Sequence, residues 1–326
     1  MPLSETKDFA YQINDVTFFT VPKPFEGGIS IIQRNAIRSW IELGAEIILC
    51  GDEPGVKETA SEYRIKHIRN IDRNEYGTPF LNSVFEKAKE ASDRKLLCYV
   101  NSDIIFLDDF TKALKCVGLK RFLMTGLRLN IFLKEPVDFS FPKWGERLKE
   151  FAVGNGKFYE WKGIDYFLFT RDEALCKIPP FVVGRPPWDN WYIYNARLHK
   201  IPVIDCTGFV TAIHQDHDYR HVPKREEGTN WEGPEADYNR GLCKGYIALS
   251  IEDVDYLLSG TGALKKVMDR KRQSACFLKI GLSFRRTEKL KALSYYFKSL
   301  FYRPNLSAIK AILKLFLPGY YKKRNW

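Results

Sequence analysis

Leu96-Leu97-Cys98-Tyr99-Val100-Asn101-Ser102-Asp103, continuing into Ile104-Ile105-Phe106, is the stretch whose reading decides the fold. Its first five residues are apolar without alternation and too few for a helix. Such a run reads as a strand buried on both faces. It stops at three polar residues and an apolar run resumes at once, so a carboxylate is held at a strand end and anchored on both sides. Burial of both faces requires helices above and below, and the flanking sequence supplies them. Upstream, Val16–Val21 (VTFFTV) and Glu46–Cys50 (EIILC) read as strands, with a shorter one at Ile65–Ile68. Between them a helix opens at Gly27-Gly28 and Ser30, carries Ile32, Ala36, Trp40 and Leu43 on one face, and stops at Gly44. Glu58–Tyr63 is helical, and Leu81, Val84, Phe85 and Ala88 mark a helix capped by Thr78 or Asn82. Downstream come a helix over Asp108–Val117 and a strand over Arg121–Thr125. This alternation predicts an α/β fold, a doubly wound, mostly parallel sheet with flanking helices.

The second half is less regular. Tyr166–Phe169, Val203–Cys206 and Val210–Ile213 read as strands, and Trp188–Leu198 as a helix after Pro186-Pro187. Residues 222–245, rich in Gly, Glu and Asn, read as a loop or crossing segment on the active-site side. The body is predicted to end near Ser259-Gly260-Thr261-Gly262, which divides the chain into 1–262 and a basic, aromatic-rich helical extension, 263–326.

Composition narrows the function classes. With 326 residues, 45% hydrophobic and 28% charged, the chain can build a sizeable core, which excludes wholesale disorder. The seven cysteines form no CxxC pair, which argues against a zinc cluster or a disulfide framework and suits a reducing cytosol. The start, MPLSETKDF, carries charge where a signal peptide needs an apolar core, and no run of about 18 apolar residues occurs. The expectation is a cytoplasmic protein without a membrane-spanning helix.

In an open parallel sheet, ligands gather beyond the carboxyl ends of the strands. Three points fall there: Pro22–Gly28, Gly51-Asp52-Glu53 and Asn101-Ser102-Asp103. Asp103 could hold a divalent cation that neutralises a diphosphate, or cap the next turn. Asp189, in Trp188-Asp189-Asn190, could be a proton acceptor kept ionised by a helix N-terminus, or a helix cap. Trp188 and Trp191 could stack on sugar faces or belong to the core. Ile213-His214-Gln215-Asp216-His217-Asp218-Tyr219-Arg220-His221 puts three of the five histidines within eight residues, beside two carboxylates. Arg128 could neutralise phosphate or lie on the surface; Asp165 could bind a hydroxyl or cap its strand. No P-loop, GxGxxG, GxSxG or HExxH is present.

The order strand–Pro loop–helix, strand–Gly-Asp-Glu, strand–Asn-Ser-Asp resembles the nucleotide-diphospho-sugar transferases of the GT-A type, over roughly residues 16–220. Gly163–Phe169 (GIDYFLF) and Phe181–Asn190 (FVVGRPPWDN) add to the likeness. The resemblance implies a nucleotide-diphosphate sugar as donor and an acceptor hydroxyl, on a glycan or a lipid-linked molecule. It implies that the Pro22 loop and Gly51, Asp52 and Glu53 hold the nucleoside. The Asp-x-Asp metal element is matched only at Asp103, since Asn101 stands where its first Asp would be. His214 follows a strand, as a late metal-binding His does in some of these enzymes. His214 or His217 would then join Asp103 on Mn²⁺ or Mg²⁺, with imidazole favouring manganese. Asp189 falls where inverting members keep their base.

Charge is unevenly spread. The last 64 residues carry 17 lysines and arginines against Asp269 and Glu288, net +15; the first 262 carry 34 basic against 38 acidic side chains, net −4. Leu306, Ile309, Ile312, Leu313 and Phe316 form a broad apolar sector beside Lys310 and Lys314. That composition fits an interfacial helix on an anionic leaflet, peripheral at the inner face of a membrane, or a helix packed on the body. Nucleic acid is disfavoured, because the acidic body carries no recognition motif. Two rivals stand beside a metal-assisted glycosyltransferase: a catalytically silent nucleotide- or carbohydrate-binding protein on the same fold, and a peripheral membrane scaffold.

Overall fold

The computed structural model describes residues 10–133, 135–158, 163–216, 232–243 and 249–316. The chain opens with β1 (Val16–Thr20), α1 (Gly27–Leu43), β2 (Glu46–Cys50), α2 (Val56–Tyr63), β3 (Lys66–Ile68), α3 (Leu81–Glu90) and β4 (Leu96–Val100). It continues through β5 (Ile104–Ile105), α4 (Asp108–Cys116), β6 (Leu123–Thr125), β7 (Arg128–Ile131), α5 (Trp144–Asn155), β8 (Lys157–Phe158) and β9 (Tyr166–Thr170). Next come α6 (Glu173–Cys176), α7 (Trp188–Leu198), β10 (Val203–Asp205), β11 (Ala212–Gln215) and α8 (Pro234–Leu242). Last are β12 (Tyr256–Leu258), β13 (Leu264–Lys266), α9 (Arg270–Phe284), α10 (Lys289–Tyr302) and α11 (Leu306–Phe316).

The main sheet has nine strands in the order β13-β12-β10-β6-β9-β4-β1-β2-β3. Parallel pairing joins β3, β2, β1 and β4 on one side and β6, β10 and β12 on the other. Between these blocks β9 runs antiparallel to both β4 and β6, and β13 is the antiparallel edge. The mostly parallel, doubly wound α/β reading thus holds, with one reversed strand at the centre.

Alternation along each strand assigns the two faces. Phe18 points to the face covered by α1 and α4, among Trp40, Phe106 and Phe110. Its neighbour Phe19 points to the other face, among Phe85 of α3 and Tyr99, Phe169 and Tyr192. Helix α1 ends where Gly44 turns left-handed, φ 85°, which a side chain would resist.

A second sheet, β5-β11-β7-β8, hangs from the carboxyl edge of the first and packs Ile105, Leu129, Ile131 and Ile213 against Leu148 and Ala152 of α5. The expected strand at Val210–Ile213 sits slightly later, at Ala212–Gln215. The expected loop over 222–245 contains α8, begun by Pro234 in its first turn; its remainder lies partly outside the described residues.

The division expected at 262 falls in the turn of the antiparallel β12–β13 pair. Beyond it, α9 sends Cys276, Ile280 and Phe284 into the core that contains Tyr192 and Phe169. Lys279 pairs with Asp253 at 2.8 Å, and Ser283 donates to the Tyr194 hydroxyl at 3.1 Å. Among the described residues no helix is long and apolar enough to cross a membrane.

Candidate active site

Strands β4, β1 and β2 are parallel neighbours, so Asn101-Ser102-Asp103, Pro22 and Gly51-Asp52-Glu53 emerge at one edge of the sheet. At about 4.8 Å between strands, the β4 and β2 ends lie roughly 10 Å apart, the reach of a nucleoside with its first phosphates. Gln33 of α1 ties the loops together. Its Oε1 accepts from Lys23 N at 2.7 Å and from Ser102 Oγ at 2.8 Å, while its Nε2 donates to Lys23 O at 2.9 Å. Gln33 is wholly buried, and the one sequence signal that could have marked it is its place beside Ile32 and Ala36 on the apolar face of α1, where a polar group needs partners.

At the β2 end, Gly51 has φ 110°, and a Cβ there would collide with Glu53 Oε2. Asp52 and Glu53 are both taken by Arg73, from the loop before α3, at 2.9 and 2.8 Å. Burial acts against the Arg73 charge, but Glu53 and Asp52 outweigh it and its pKa is raised. Arg73 was not singled out from sequence, because a loop arginine carries no periodic signal. Pro22 is buried at the start of its loop.

The reversed strand β9 explains Asp165. Register pairs Val100 with Tyr166, so the residue before β9 stands beside the residue after β4. Asn101 N donates to Asp165 O at 2.9 Å, and Asn101 Nδ2 to Asp165 Oδ1 at 3.0 Å. Arg128, the first residue of β7, pairs with the other Asp165 oxygen. Both side chains are largely buried, and the Asn101 side chain contributes a second donor to the Asp165 carboxylate.

The second sheet delivers the histidine. Register sets His214 of β11 against Ile104 of β5, next to Asp103. His214 Nε2 lies 3.5 Å from Asp103 Oδ2, and its Nδ1 lies 3.2 Å from Asp216 Oδ1. Burial works against the charged imidazole, but the Asp103 carboxylate more than offsets it, and the pKa is raised. Gln215 locks the strand in place, accepting from Asn35 Nδ2 at 2.9 Å and donating to Ile32 O at 2.9 Å. His217 lies outside the described residues.

Asp103 and His214 fit one divalent cation. Two ligands each about 2.1 Å from an ion stand roughly 3 Å apart, close to the spacing seen. A carboxylate behind the second imidazole nitrogen, here Asp216, is the usual support of a ligating histidine. Among the described residues no group of three or more His, Cys, Asp or Glu side chains converges to hold a metal. The pair suits an ion completed by phosphate oxygens and water.

Asp189 occupies the first turn of α7, which Asn190 anchors by donating to Leu249 O at 2.7 Å. The residue is half-buried, yet its Oδ1 is shut off from solvent with no hydrogen-bond partner. Burial is the main influence; together with the nearby Asp165 it outweighs the helix-end N–H groups and raises the pKa to about 6. Desolvation thus exceeds the benefit of the helix end, yet a carboxyl at about 6 is still largely ionised at neutral pH, as expected of a proton acceptor. Of the two alternatives for Trp188, sugar stacking and core, the structure takes the core and corrects the stacking role. Its ring is buried edge-on against Tyr99 and Phe167, with centroids 5.2 Å away in each case, and serves as the wedge that sets α7 on the sheet. Trp191 likewise packs on Phe181 at 5.2 Å.

No protein-family model matches this chain, and no curated protein sequence does. Solved structures similar to it include nucleotide-sugar glycosyltransferases. Residues 1–349 of S. aureus TarS in complex with UDP-GlcNAc are 10% identical, with 95% of this chain and 93% of that one covered and a TM-score of 0.42. GalNAc-T7 with UDP, GalNAc and Mn²⁺ is 15% identical over 71% of this chain and 48% of that one, with a TM-score of 0.44. M. tuberculosis glucosyl-3-phosphoglycerate synthase is 12% identical over 64% and 73%, with a TM-score of 0.37. At such values the functional reading rests on the geometry of the site.

Proposed function

We propose that this chain is a hexosyltransferase-like enzyme that moves a sugar from a nucleotide-diphosphate donor to an acceptor hydroxyl on a glycan or a lipid-linked molecule. The observation that carries the reading is the meeting, at one sheet edge, of a carboxylate–imidazole pair (Asp103, His214) and a buried Arg128–Asp165 pair, with Asp189 close enough to Asp165 to feel its charge. Asp52 and Glu53, held by Arg73, face the base or ribose, with Pro22, Gly51 and Ser102 shaping the backbone around it. Arg128 offers positive charge to a phosphate, and Asn101 and Asp165 offer polar groups to the sugar hydroxyls.

Asp103 and His214 would hold Mn²⁺ or Mg²⁺, whose charge would offset that of the diphosphate as it leaves. In an inverting transfer the acceptor oxygen forms a bond to the anomeric carbon while the bond from that carbon to the phosphate oxygen breaks. The nucleoside diphosphate departs with the electron pair, and the acceptor proton passes to the Asp189 carboxylate. A carboxylate of pKa about 6 suits this work near neutral pH, because general bases act best with a pKa near the working pH. The predicted setting is the cytoplasm, at the inner face of a membrane when the acceptor is lipid-linked.

The test follows a labelled nucleotide-diphosphate sugar onto acceptors and reads the anomeric configuration of the product. Asp189→Asn should keep donor affinity and lower transfer by on the order of 10² or more, with loss of an acidic limb near pH 6. Donor binding with neither transfer nor hydrolysis on any acceptor would support the catalytically silent reading instead. A retained configuration with normal transfer by Asp189→Asn would remove Asp189 from the chemistry.

A further inference from the structure

The last two helices carry apolar side chains on the wrong side for a core. Helix α10 packs through Ala292, Tyr296 and Ser299, while Leu290, Phe297 and Phe301 are exposed, Leu290 at 84% and Phe301 at 77%. At 100° per residue the exposed three fall within a narrow stripe, opposite the packed three. Helix α11 repeats the arrangement: Ala308 and Ala311 are buried, while Leu306, Ile309, Leu313 and Phe316 are exposed, Leu306 at 74%. Two neighbouring helices thus turn seven large apolar side chains to solvent, more than scattered surface residues account for.

Charge identifies the occupant. Lys291 and Lys298 flank the α10 stripe, Lys310 and Lys314 flank the α11 stripe, and all four are exposed. Over residues 263–316 only Asp269 and Glu288 oppose fourteen lysines and arginines. A second copy of the chain would bring the same positive charge to the same face. An anionic bilayer supplies what both features require, an apolar layer beneath negative headgroups.

We propose that the exposed face of α10 and α11 is a docking surface for an anionic lipid bilayer. Leu290, Phe297 and Phe301 seat with Leu306, Ile309, Leu313 and Phe316 among the acyl chains, and the four lysines sit at headgroup level. This deepens the reading of a peripheral enzyme given above, but it makes no use of the transfer chemistry. The packing of α9 into the core holds the face fixed to the catalytic body, so the docked chain presents its site at a set orientation to the membrane.

The test is co-sedimentation of the full chain, without donor, with vesicles of phosphatidylcholine alone or mixed with phosphatidylglycerol. The wild type should bind the mixed vesicles at least tenfold more tightly. F301Q/L306Q should lose binding that survives high salt, because only the apolar part is insensitive to screening. K310E/K314E should weaken binding to mixed vesicles by more than tenfold at low salt, since each basic side chain near such a surface is worth on the order of fivefold. All substituted residues are exposed, so thermal unfolding should match the wild type. Failure of the wild type to bind mixed vesicles, or equal binding by F301Q/L306Q, overturns the proposal. So does a wild-type dimer in analytical ultracentrifugation that F301Q/L306Q converts to monomer, which would assign the face to a second copy. Donor turnover measured without lipid separates these outcomes from the fate of the transferase reading.

Discussion

Asp189→Asn should stabilise the protein, by an amount that depends on pH in a way that can be worked out. In the unfolded chain the carboxyl titrates near its ordinary 3.8; in the folded chain burial moves it to about 6. Between those values the folded state holds a proton that the unfolded state has released. Wild-type stability therefore falls as pH rises through this window and stays lowered above it. A shift of roughly two units corresponds to about 2–3 kcal/mol at 1.36 kcal/mol per unit. Asparagine carries no charge at any pH and escapes the penalty. Urea denaturation of both proteins at pH 4 and pH 8 reads the effect directly: the variant's advantage should be about 2–3 kcal/mol larger at pH 8. An advantage equal at the two pH values, or larger at pH 4, would refute the desolvated carboxyl. Combined with the expected loss of transfer, the result would describe a group kept at a cost to stability because the chemistry needs it.

Other outcomes follow from the same geometry. Asp103→Ala or His214→Ala should remove the Mn²⁺-dependent part of nucleoside-diphosphate affinity, and Asp216→Asn should weaken metal binding by about 10–100-fold; calorimetry with and without chelator decides, and affinity indifferent to metal would exclude the pair as ligands. Arg73→Ala should weaken nucleoside binding by about tenfold or more, because Asp52 and Glu53 lose their common partner, yet change stability by only about 0–1 kcal/mol, as is usual for a partly exposed pair. Trp188→Ala should cost about 3–5 kcal/mol in urea denaturation, the scale of a large buried ring removed; a cost under about 1 kcal/mol would show that the ring is not core.

The local elements were legible because burial leaves a periodic trace. Glu46–Cys50, Leu96–Val100 and Trp188–Leu198 have the bounds their sequences predict, since unbroken apolar runs and a 3.6-residue stripe report directly which faces meet other atoms. Helix α8 was missed because its nine residues, rich in charge and ending near Gly241, carry no such stripe; it is held instead by Asn239, which donates to Val182 O at 3.1 Å and to Arg185 O at 2.9 Å. The strand ends bearing Asp52, Asn101 and Asp103 were also legible, because a parallel sheet sends all its carboxyl ends to one edge.

The sequence by itself determined most elements of the first half, the αβ alternation and the charge division, all of which depend on residues close together in the chain. Tertiary structure alone decided which carboxylate meets which partner. The register of β11 against β5 chose His214 for Asp103, and the reversal of β9 set Asp165 between Asn101 and Arg128. Arg73 reached Asp52 and Glu53 from another loop, and α7 buried Trp188 while half-burying Asp189. The reason is physical: periodicity records that a residue is buried, but pairing and proton affinity depend on what lies across the interface, and folding brings those atoms from distant parts of the chain.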